Sequence, residues 1–405
     1  MLRGTALNEG HHTFYQIANV LPKNEPGLGV WMMSILFEPV SIKGMKFKNR
    51  FVRSATYDGY ADETGRVTDR QIKFFEELAN GGAGLIVTGI SYVHNSGQTS
   101  PIQNSIASDD CISGLKELTT AVHEAGARIA IQLFHAGREG ARFLKTKNLE
   151  AIGPFVVSDD PYFERPYRSM TEAEISEVVS AFGDAAGRAR EAGFDAVQVH
   201  GAHAYLLSQF LSPYLNRRND SWGGSLENRL CLHREILWDI RAKTGTEYPL
   251  LIKIGVEDGF PGGLELSEGA LAARFLAQWG FDALEISSGL RGKRYEQTEF
   301  RTQLNRPERE AYFRDWCREI KREVDVPVMM VGGLRTFSLM EEVIEKGEAD
   351  FVSLCRPFIR EPFIVNEWKK DHHRRPACIS CNQCLDGIFK GHPVQCIQET
   401  KGNRG

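Results

Sequence analysis

The sequence has no apolar stretch long enough to cross a bilayer, and its N-terminus lacks the apolar core of a signal peptide. Its net charge of -4 leaves no excess of positive charge with which to hold nucleic acid or an anionic membrane. No Gly-x-Gly-x-x-Gly turn follows the first strand of the predicted sheet, which disfavours a dinucleotide-binding open sheet. We therefore expect a cytoplasmic protein that binds neither nucleic acid nor membranes.

Cysteine is scarce and unevenly distributed, with only eight among the 405 residues. Four of them are scattered, and the other four lie together near the C-terminus: Cys378, Cys381, Cys384 and Cys396. In a reducing compartment such a cluster indicates metal ligation rather than disulfide bonds. The sequence therefore predicts a metal at the C-terminal tail, although four inert thiols are the alternative.

The composition, 42% hydrophobic and 25% charged, is that of a globular α/β protein. Residues 1–33 mix Gly, Pro, Asn and His without a period, so we expect a weakly ordered extension. A small hairpin follows, and short apolar strands then alternate with helices. One of the predicted helices opens with a capping-box pattern at Thr171 and Glu174, and another is predicted over residues 307–324.

The alternation gives eight β-α units with strands buried on both faces. Eight such units most often close into a (β/α)8 TIM barrel, and an open doubly wound sheet is the alternative. We predict a TIM barrel over residues 34–371 with an N-terminal hairpin, followed by a short cysteine-rich extension over 372–405. In a barrel the functional groups collect at the carboxyl ends of the strands.

The most informative strand end follows the apolar run at residues 194–199. His200 and His203 lie three residues apart at the exit of this strand, and Tyr205 comes two residues later. Two imidazoles at this spacing can converge on one oxygen atom, with a phenolic proton nearby, which is an arrangement that polarises a carbonyl. The histidines can equally be ordinary loop residues or half of a zinc site.

The last two strand ends have a different character. Gly332 and Gly333 follow the seventh strand, while Cys355 and Arg356 follow the eighth. Barrels commonly bind phosphate at this place, because glycines let backbone N–H groups approach it and an arginine pairs with it. Taken alone, the two glycines are as well explained by a turn.

Five motifs in this order resemble the Old Yellow Enzyme family of flavin oxidoreductases. The resemblance runs from about residue 35 to 362 and rests on FVRSAT at 51–56, IQLFHAGR at 131–138, HGAHAY at 200–205, FLSP at 210–213 and RRNDSWGGSLENR at 217–229. It implies an FMN-binding TIM barrel whose cofactor contacts are Ser54, Ala55, Thr56, Gly89, Gln132, Lys253, Gly332, Gly333, Cys355 and Arg356. Two of these depart from the family: Lys253 stands where arginine is commoner, and Cys355 replaces a frequent glycine.

The resemblance also implies a reaction. An NAD(P)H-dependent ene-reductase would reduce the C=C bond of an enone or enoate, with His200 and His203 holding the carbonyl oxygen and Tyr205 protonating the α-carbon. Which of Tyr57 and Tyr60 in the first loop enters the pocket is left open by the sequence. We expect a homo-oligomer.

The cysteine tail resembles that of 2,4-dienoyl-CoA reductase and trimethylamine dehydrogenase, which implies a [4Fe-4S] cluster bound by its four cysteines. Zinc is the alternative metal. The tail thus supports a second hypothesis, in which the chain is an iron-sulfur flavoprotein subunit that exchanges electrons with a separate partner.

Overall fold

The computed structural model describes residues 34–402, so the extension predicted over 1–33 lies outside the described residues. Eight parallel strands close into a barrel in the order β10-β11-β12-β3-β4-β5-β8-β9, which confirms the predicted TIM barrel. Its strands are β3 (Phe51–Arg53), β4 (Leu85–Tyr92), β5 (Arg128–Phe134), β8 (Ala196–Gly201), β9 (Leu250–Gly255), β10 (Ala283–Ser287), β11 (Val328–Met330) and β12 (Phe351–Leu354). Outside the barrel lie two short pairs, β1 (Val40–Ile42) with β2 (Met45–Phe47), and β6 (Ile152–Gly153) with β7 (Arg168–Ser169).

The helices follow the predicted alternation. In chain order they are α1 (Asp69–Asn80), α2 (Ile112–Glu124), α3 (Ala141–Leu144), α4 (Glu172–Glu191), α5 (Leu206–Leu211), α6 (Leu226–Arg229), α7 (Cys231–Thr244), α8 (Leu266–Trp279), α9 (Arg314–Lys321), α10 (Phe337–Glu345), α11 (Arg356–Arg360), α12 (Ile364–Lys370), α13 (Gln383–Phe389) and α14 (Ile397–Gly402). The capping box predicted at Thr171 and Glu174 is present at the start of α4. Across residues 34–402 no helix is both long and apolar enough to cross a membrane.

The N-terminal hairpin closes one end of the barrel. Strands β1 and β2 pair antiparallel, and their residues Ile42, Met45 and Phe47 are buried in one cluster with inward-facing residues such as Ala196 and Ala283. Because these two alanines are the first residues of β8 and β10, the hairpin covers the amino ends of the strands. The carboxyl ends are left for the functional groups.

Alternation along each strand sorts its residues between the barrel interior and the helical shell. Along β8, Ala196 belongs to the interior cluster, whereas Val197 and Val199 pack in the outer core. Gln198 and His200 therefore share the inward face with Ala196, at successively higher levels. The same period places Ser287 two residues above Glu285 on β10.

The helix predicted over residues 307–324 is wrong in its first half. The α-helix begins only at Arg314, and Pro307 starts a single 3₁₀ turn. Ala311 then has φ 50°, a left-handed conformation that interrupts a helix, and the Tyr312 N–H bonds the Gly332 carbonyl at 2.9 Å. Residues 288–313 therefore form a long loop at the barrel mouth.

Candidate active site

A cavity of about 570 Å³ opens at the carboxyl ends of the barrel strands, within the size range of small-molecule and cofactor sites. The sequence-predicted residues that line it are Ala55, Thr56, Gln132, His200, His203, Tyr205, Lys253, Gly332, Gly333, Cys355 and Arg356. Ser54 and Gly89 were predicted with them but do not line it. The structure thus brings the two halves of the prediction, carbonyl site and phosphate site, to one cavity.

His200 is the penultimate residue of strand β8 and is buried. Burial is the largest cause that lowers its pKa well below 6.5, and the nearby His203 and Lys253 lower the pKa further. The ring is therefore neutral at physiological pH. Its Nδ1 accepts the Ala202 N–H at 3.4 Å, so the neutral ring carries its proton on Nε2. His200 can donate one hydrogen bond from this atom.

His203 sits in a strained turn. It and Ala204 have φ of 59° and 62°, and their N–H groups bond the carbonyls of Ser288 and Gly289, both at 3.0 Å. Its Nε2 lies 2.7 Å from the hydroxyl of Ser287, the last residue of β10. The turn therefore directs the second histidine towards the first, with ring centroids 5.0 Å apart.

Tyr205 completes a three-ring cluster with His200 and His203. Its ring centroid lies 5.1 Å from that of His200 and 4.5 Å from that of Phe134, which it meets edge-on. Burial raises the pKa of its hydroxyl, and the charge of Arg291 partly opposes that rise. The hydroxyl is therefore protonated at neutral pH, as a proton donor must be.

Two functional-site residues escaped the sequence analysis. Arg291 and Glu299 line the cavity from the long loop after β10 and form an ion pair of 2.6 Å. Loop residues carry no period, so no local signal singled them out. The position of Ser287, in contrast, could be predicted, because it follows from the two-residue period of β10.

Beneath the cavity a chain of polar side chains crosses the barrel. Gln132 donates to Gln198 at 2.7 Å, and Gln198 donates to Glu285 at 3.0 Å. The ammonium of Lys253 lies 3.2 Å from the same Glu285 oxygen and donates to the Ser54 hydroxyl at 2.8 Å. These contacts fix the ammonium of Lys253 at the cavity floor. Ser54 bonds to it from behind the cavity wall.

The residues predicted to hold a phosphate lie in the wall of the cavity. Gly332 and Gly333 have φ of 123° and 81°, and a Cβ on either would come within 2.9 Å of a neighbouring side chain, so both positions require glycine. Arg356 lines the cavity while one of its nitrogens bonds the Arg301 carbonyl at 2.8 Å and the Asn382 side chain. Cys355, the residue that departs from the family, also lines the cavity.

The first loop is organised around backbone contacts. The Thr56 hydroxyl donates to the Ser54 carbonyl at 2.9 Å, and Gly89 packs behind the loop, where a Cβ would lie 3.1 Å from the Thr56 carbonyl. Tyr57 lines the cavity, whereas the Tyr60 hydroxyl bonds the Val394 carbonyl at 3.0 Å. Of the two candidate tyrosines, Tyr57 is therefore the one that reaches the pocket.

The predicted metal site is not supported. Within residues 34–402, no group of three or more His, Cys, Asp or Glu side chains is placed to hold a metal ion. Cys378 is buried whereas Cys381 is exposed, and burial raises the pKa of the Cys384 and Cys396 thiols, that of Cys384 to about 11. The tail has a different role in the described structure, since Cys384 and its neighbours form part of the cavity wall.

FMN fits this cavity on three observations. The glycine pair and Arg356 offer a narrow cationic place for a phosphate. Lys253 places a buried cation at the floor, where it would favour negative charge on a reduced flavin ring. The cavity of about 570 Å³ is within the size range of cofactor sites, and His200, His203 and Tyr205 line it. Fold and site together define a TIM barrel with a cavity whose residues could hold a flavin.

The family model for the NADH:flavin oxidoreductase / NADH oxidase family matches residues 35–375. The chain belongs to this family. It is 33% identical over 375 residues to a metal reductase of Desulforamulus reducens, covering 92% of this chain and 54% of that protein. It is 34% identical to an NADPH dehydrogenase of Halalkalibacterium halodurans, covering 82% of this chain and 93% of that protein.

Among solved structures, 2-naphthoyl-CoA reductase in complex with 2-naphthoyl-CoA superposes with a TM-score of 0.83 at 28% identity. The match covers 89% of this chain and 56% of that one. The chain thus spans about half the length of the metal reductase and of this structural relative.

Proposed function

We propose that this protein uses FMN and NAD(P)H to reduce the C=C bond of α,β-unsaturated carbonyl compounds. The observation that carries the proposal is the three-ring cluster of His200, His203 and Tyr205 in the wall of the cavity. Burial lowers the pKa of His203 well below 6.5, as it does that of His200, so both imidazoles are neutral. With the protonated phenol they supply hydrogen-bond donors for a carbonyl and a proton for a carbon.

The bound flavin would supply the redox chemistry, taking a hydride from the reduced nicotinamide and passing it to the β-carbon of the substrate. His200 binds the carbonyl oxygen through its Nε2–H. The Ser287 hydroxyl can donate to Nε2 of His203, and the proton of that neutral ring is then on Nδ1. This Nδ1–H lies 3.9 Å from a Glu299 oxygen and is the second donor. Together the two rings stabilise the enolate charge that develops on the oxygen.

Tyr205 supplies the remaining proton. Its hydroxyl proton moves to the α-carbon, and the hydroxyl is restored from water. Phe134 holds the phenol ring edge-on, so its position does not depend on the substrate.

The test begins with an absorbance spectrum of protein prepared without oxygen, in which flavin bands establish the cofactor. The protein is then reduced with one equivalent of NADH or NADPH and mixed with a neutral enone. We expect the flavin to reoxidise and the saturated ketone to form in equal amount. Reoxidation by oxygen but not by the enone would contradict the proposal.

We predict that Arg356→Ala weakens FMN binding. Loss of a charge-assisted bond to phosphate costs about 1.5 to 3 kcal/mol, or roughly a ten- to 150-fold rise in Kd. Flavin retained after dialysis measures the effect. Arg360→Ala is the matched control, because Arg360 lies one helical turn later and pairs with Glu399 at 3.5 Å. Equal flavin retention in both variants would show that Arg356 does not bind the phosphate.

A second candidate function, the iron-sulfur subunit with a separate electron partner, has one supporting observation. Cys384 lies in the wall of the same cavity, so a redox group on the tail would adjoin the flavin. The described thiols do not fit a metal, and we assign no step of the reaction to them.

Metal analysis separates the two candidates. The second candidate predicts iron in protein prepared under reducing, oxygen-free conditions, and its loss when Cys378, Cys381, Cys384 and Cys396 are replaced by serine. The first candidate requires no metal and predicts that an enone still reoxidises the flavin of the serine variant. Finding neither iron nor zinc would remove the second candidate.

A further inference from the structure

We propose that Arg291, held by Glu299, is a positioning residue that controls how readily Tyr205 gives up its proton. The inference rests on the proposed function, since it concerns the step in which Tyr205 protonates the substrate. Neither Arg291 nor Glu299 belongs to the strand-end residues from which the site was predicted. Both come from the loop between β10 and the residues where a helix was expected, 307–324.

The ion pair is built to hold the guanidinium in one orientation. Arg291 Nε donates to both Glu299 oxygens, at 2.9 and 3.1 Å, and its Nη2 donates to one of them at 2.6 Å. Its Nη1 lies 3.7 Å from a Glu139 oxygen, and Phe300 packs against the group at 5.2 Å. A fork-to-carboxylate pair of this kind fixes direction as well as distance.

The fixed guanidinium faces Tyr205. Its central carbon lies 5.3 Å from the centroid of the Tyr205 ring. The Tyr205 ring also contacts the rings of His200 and Phe134. Arg291 is therefore a positive charge held against the proton donor by residues outside the reacting groups.

The charges around Tyr205 act on it in opposite directions. Burial is the largest cause of its raised pKa, the charge and hydrogen bond of Arg291 lower the pKa, and the carboxylates of Glu299 and Glu139 raise it. His200 is neutral, as its lowered pKa requires. Arg291 is thus the cation that opposes the effect of burial.

The chemistry gives this charge a use. When the Tyr205 O–H bond breaks, the electron pair of the enolate α-carbon forms the new C–H bond, and the phenol oxygen keeps a negative charge until water returns a proton. A buried phenolate is costly in a site of low dielectric. A cation held beside it lowers this cost at the moment the charge appears, because it needs no rearrangement.

Direct binding of a substrate carboxylate is the competing use of a cavity arginine. Glu299 already occupies the guanidinium in a fork, and Glu139 lies on its remaining side. Nε and Nη2 are thus committed to Glu299, so a substrate carboxylate cannot form the two-bond fork with them. The pair acts on Tyr205 rather than on an anionic part of the substrate.

The test compares two substitutions that remove opposite charges from one ion pair. Arg291→Met should make the Tyr205 phenolate form at higher pH, whereas Glu299→Gln should make it form at lower pH. The ultraviolet difference spectrum of phenolate, taken against Tyr205→Phe in each background, reports this without turnover. Reoxidation by a neutral enone should slow roughly tenfold in Arg291→Met, since a nearby opposite charge shifts a pKa by about one or more units. Arg291→Lys should restore part of the rate.

The outcomes distinguish the alternatives. If the pair is merely structural, the two substitutions shift the titration of Tyr205 in the same direction or leave it unchanged. Either result overturns the inference. A rise in KM for an enoate, with the neutral enone unaffected, shows that Arg291 binds substrate and also overturns it. If the unmodified protein reduces no enone, the proposed function itself has failed. If it reduces enones but the variants react at its rate, only the inference has failed.

Discussion

A variant with both His200→Ala and His203→Ala should keep its flavin and still accept electrons from NAD(P)H, yet reoxidise with a neutral enone at least about a hundredfold more slowly. The expected size follows from the loss of transition-state hydrogen-bond donors, each typically worth about a hundredfold or more. Flavin binding should survive, because the phosphate end of the cavity and Lys253 are untouched. Rapid mixing that follows the two half-reactions separately measures both effects.

The control is His373→Ala with His392→Ala, which removes two exposed histidines outside the cavity wall. This variant should reoxidise at the unmodified rate. If the His200 and His203 variant also did so, the histidines would be structural and the proposed reaction would lose its support. Slow reduction by NAD(P)H together with slow reoxidation would instead indicate a disturbed flavin.

The variant Tyr205→Phe should show a different pattern. It keeps the ring that packs against Phe134 and His200 and loses only the hydroxyl. Substrate affinity should therefore change little, while protonation of the α-carbon slows by roughly a hundredfold or more. Steady-state kcat with KM, and the reoxidation rate after rapid mixing, separate these two effects.

Tyr57→Phe provides the matched control. Tyr57 also lines the cavity, but it belongs to the first loop and not to the segment that carries the two histidines. We expect its effect on reoxidation to be much smaller. Equal slowing in both variants would mean that a hydroxyl anywhere in the cavity serves, and that Tyr205 has no special role.

Much of the candidate site could be predicted because strand ends are visible in a sequence. A short apolar run and the polar residue after it are local features, and barrel closure brings all such ends to one mouth. His200, Lys253 and Gly332 were found in this way. The roles assigned to these residues remain predictions for the experiments above.

The error in the helix at 307–324 has a physical cause. Its composition favours a helix, but Ala311 is left-handed and the Tyr312 amide is committed to the Gly332 carbonyl. Tertiary contacts thus override local preference at residues 307–313. Arg291 and Glu299 lie in the loop before them, which has no hydrophobic period. Nothing in the spacing of those two residues indicates that they meet Tyr205.

The sequence by itself determined the barrel, the order of its strands, the capping box at Thr171 and the residue types at the strand ends, because these depend on local period and turn chemistry. The tertiary structure alone decided which of those residues share a cavity, that Ser54 and Gly89 stand behind its wall, and that the cysteine tail forms part of the wall without gathering its thiols around a metal. The physical reason is distance along the chain. The contacts of Arg291 with Tyr205, and of Arg356 with Asn382, join residues far apart in sequence, and their geometry follows from barrel closure rather than from neighbouring residues.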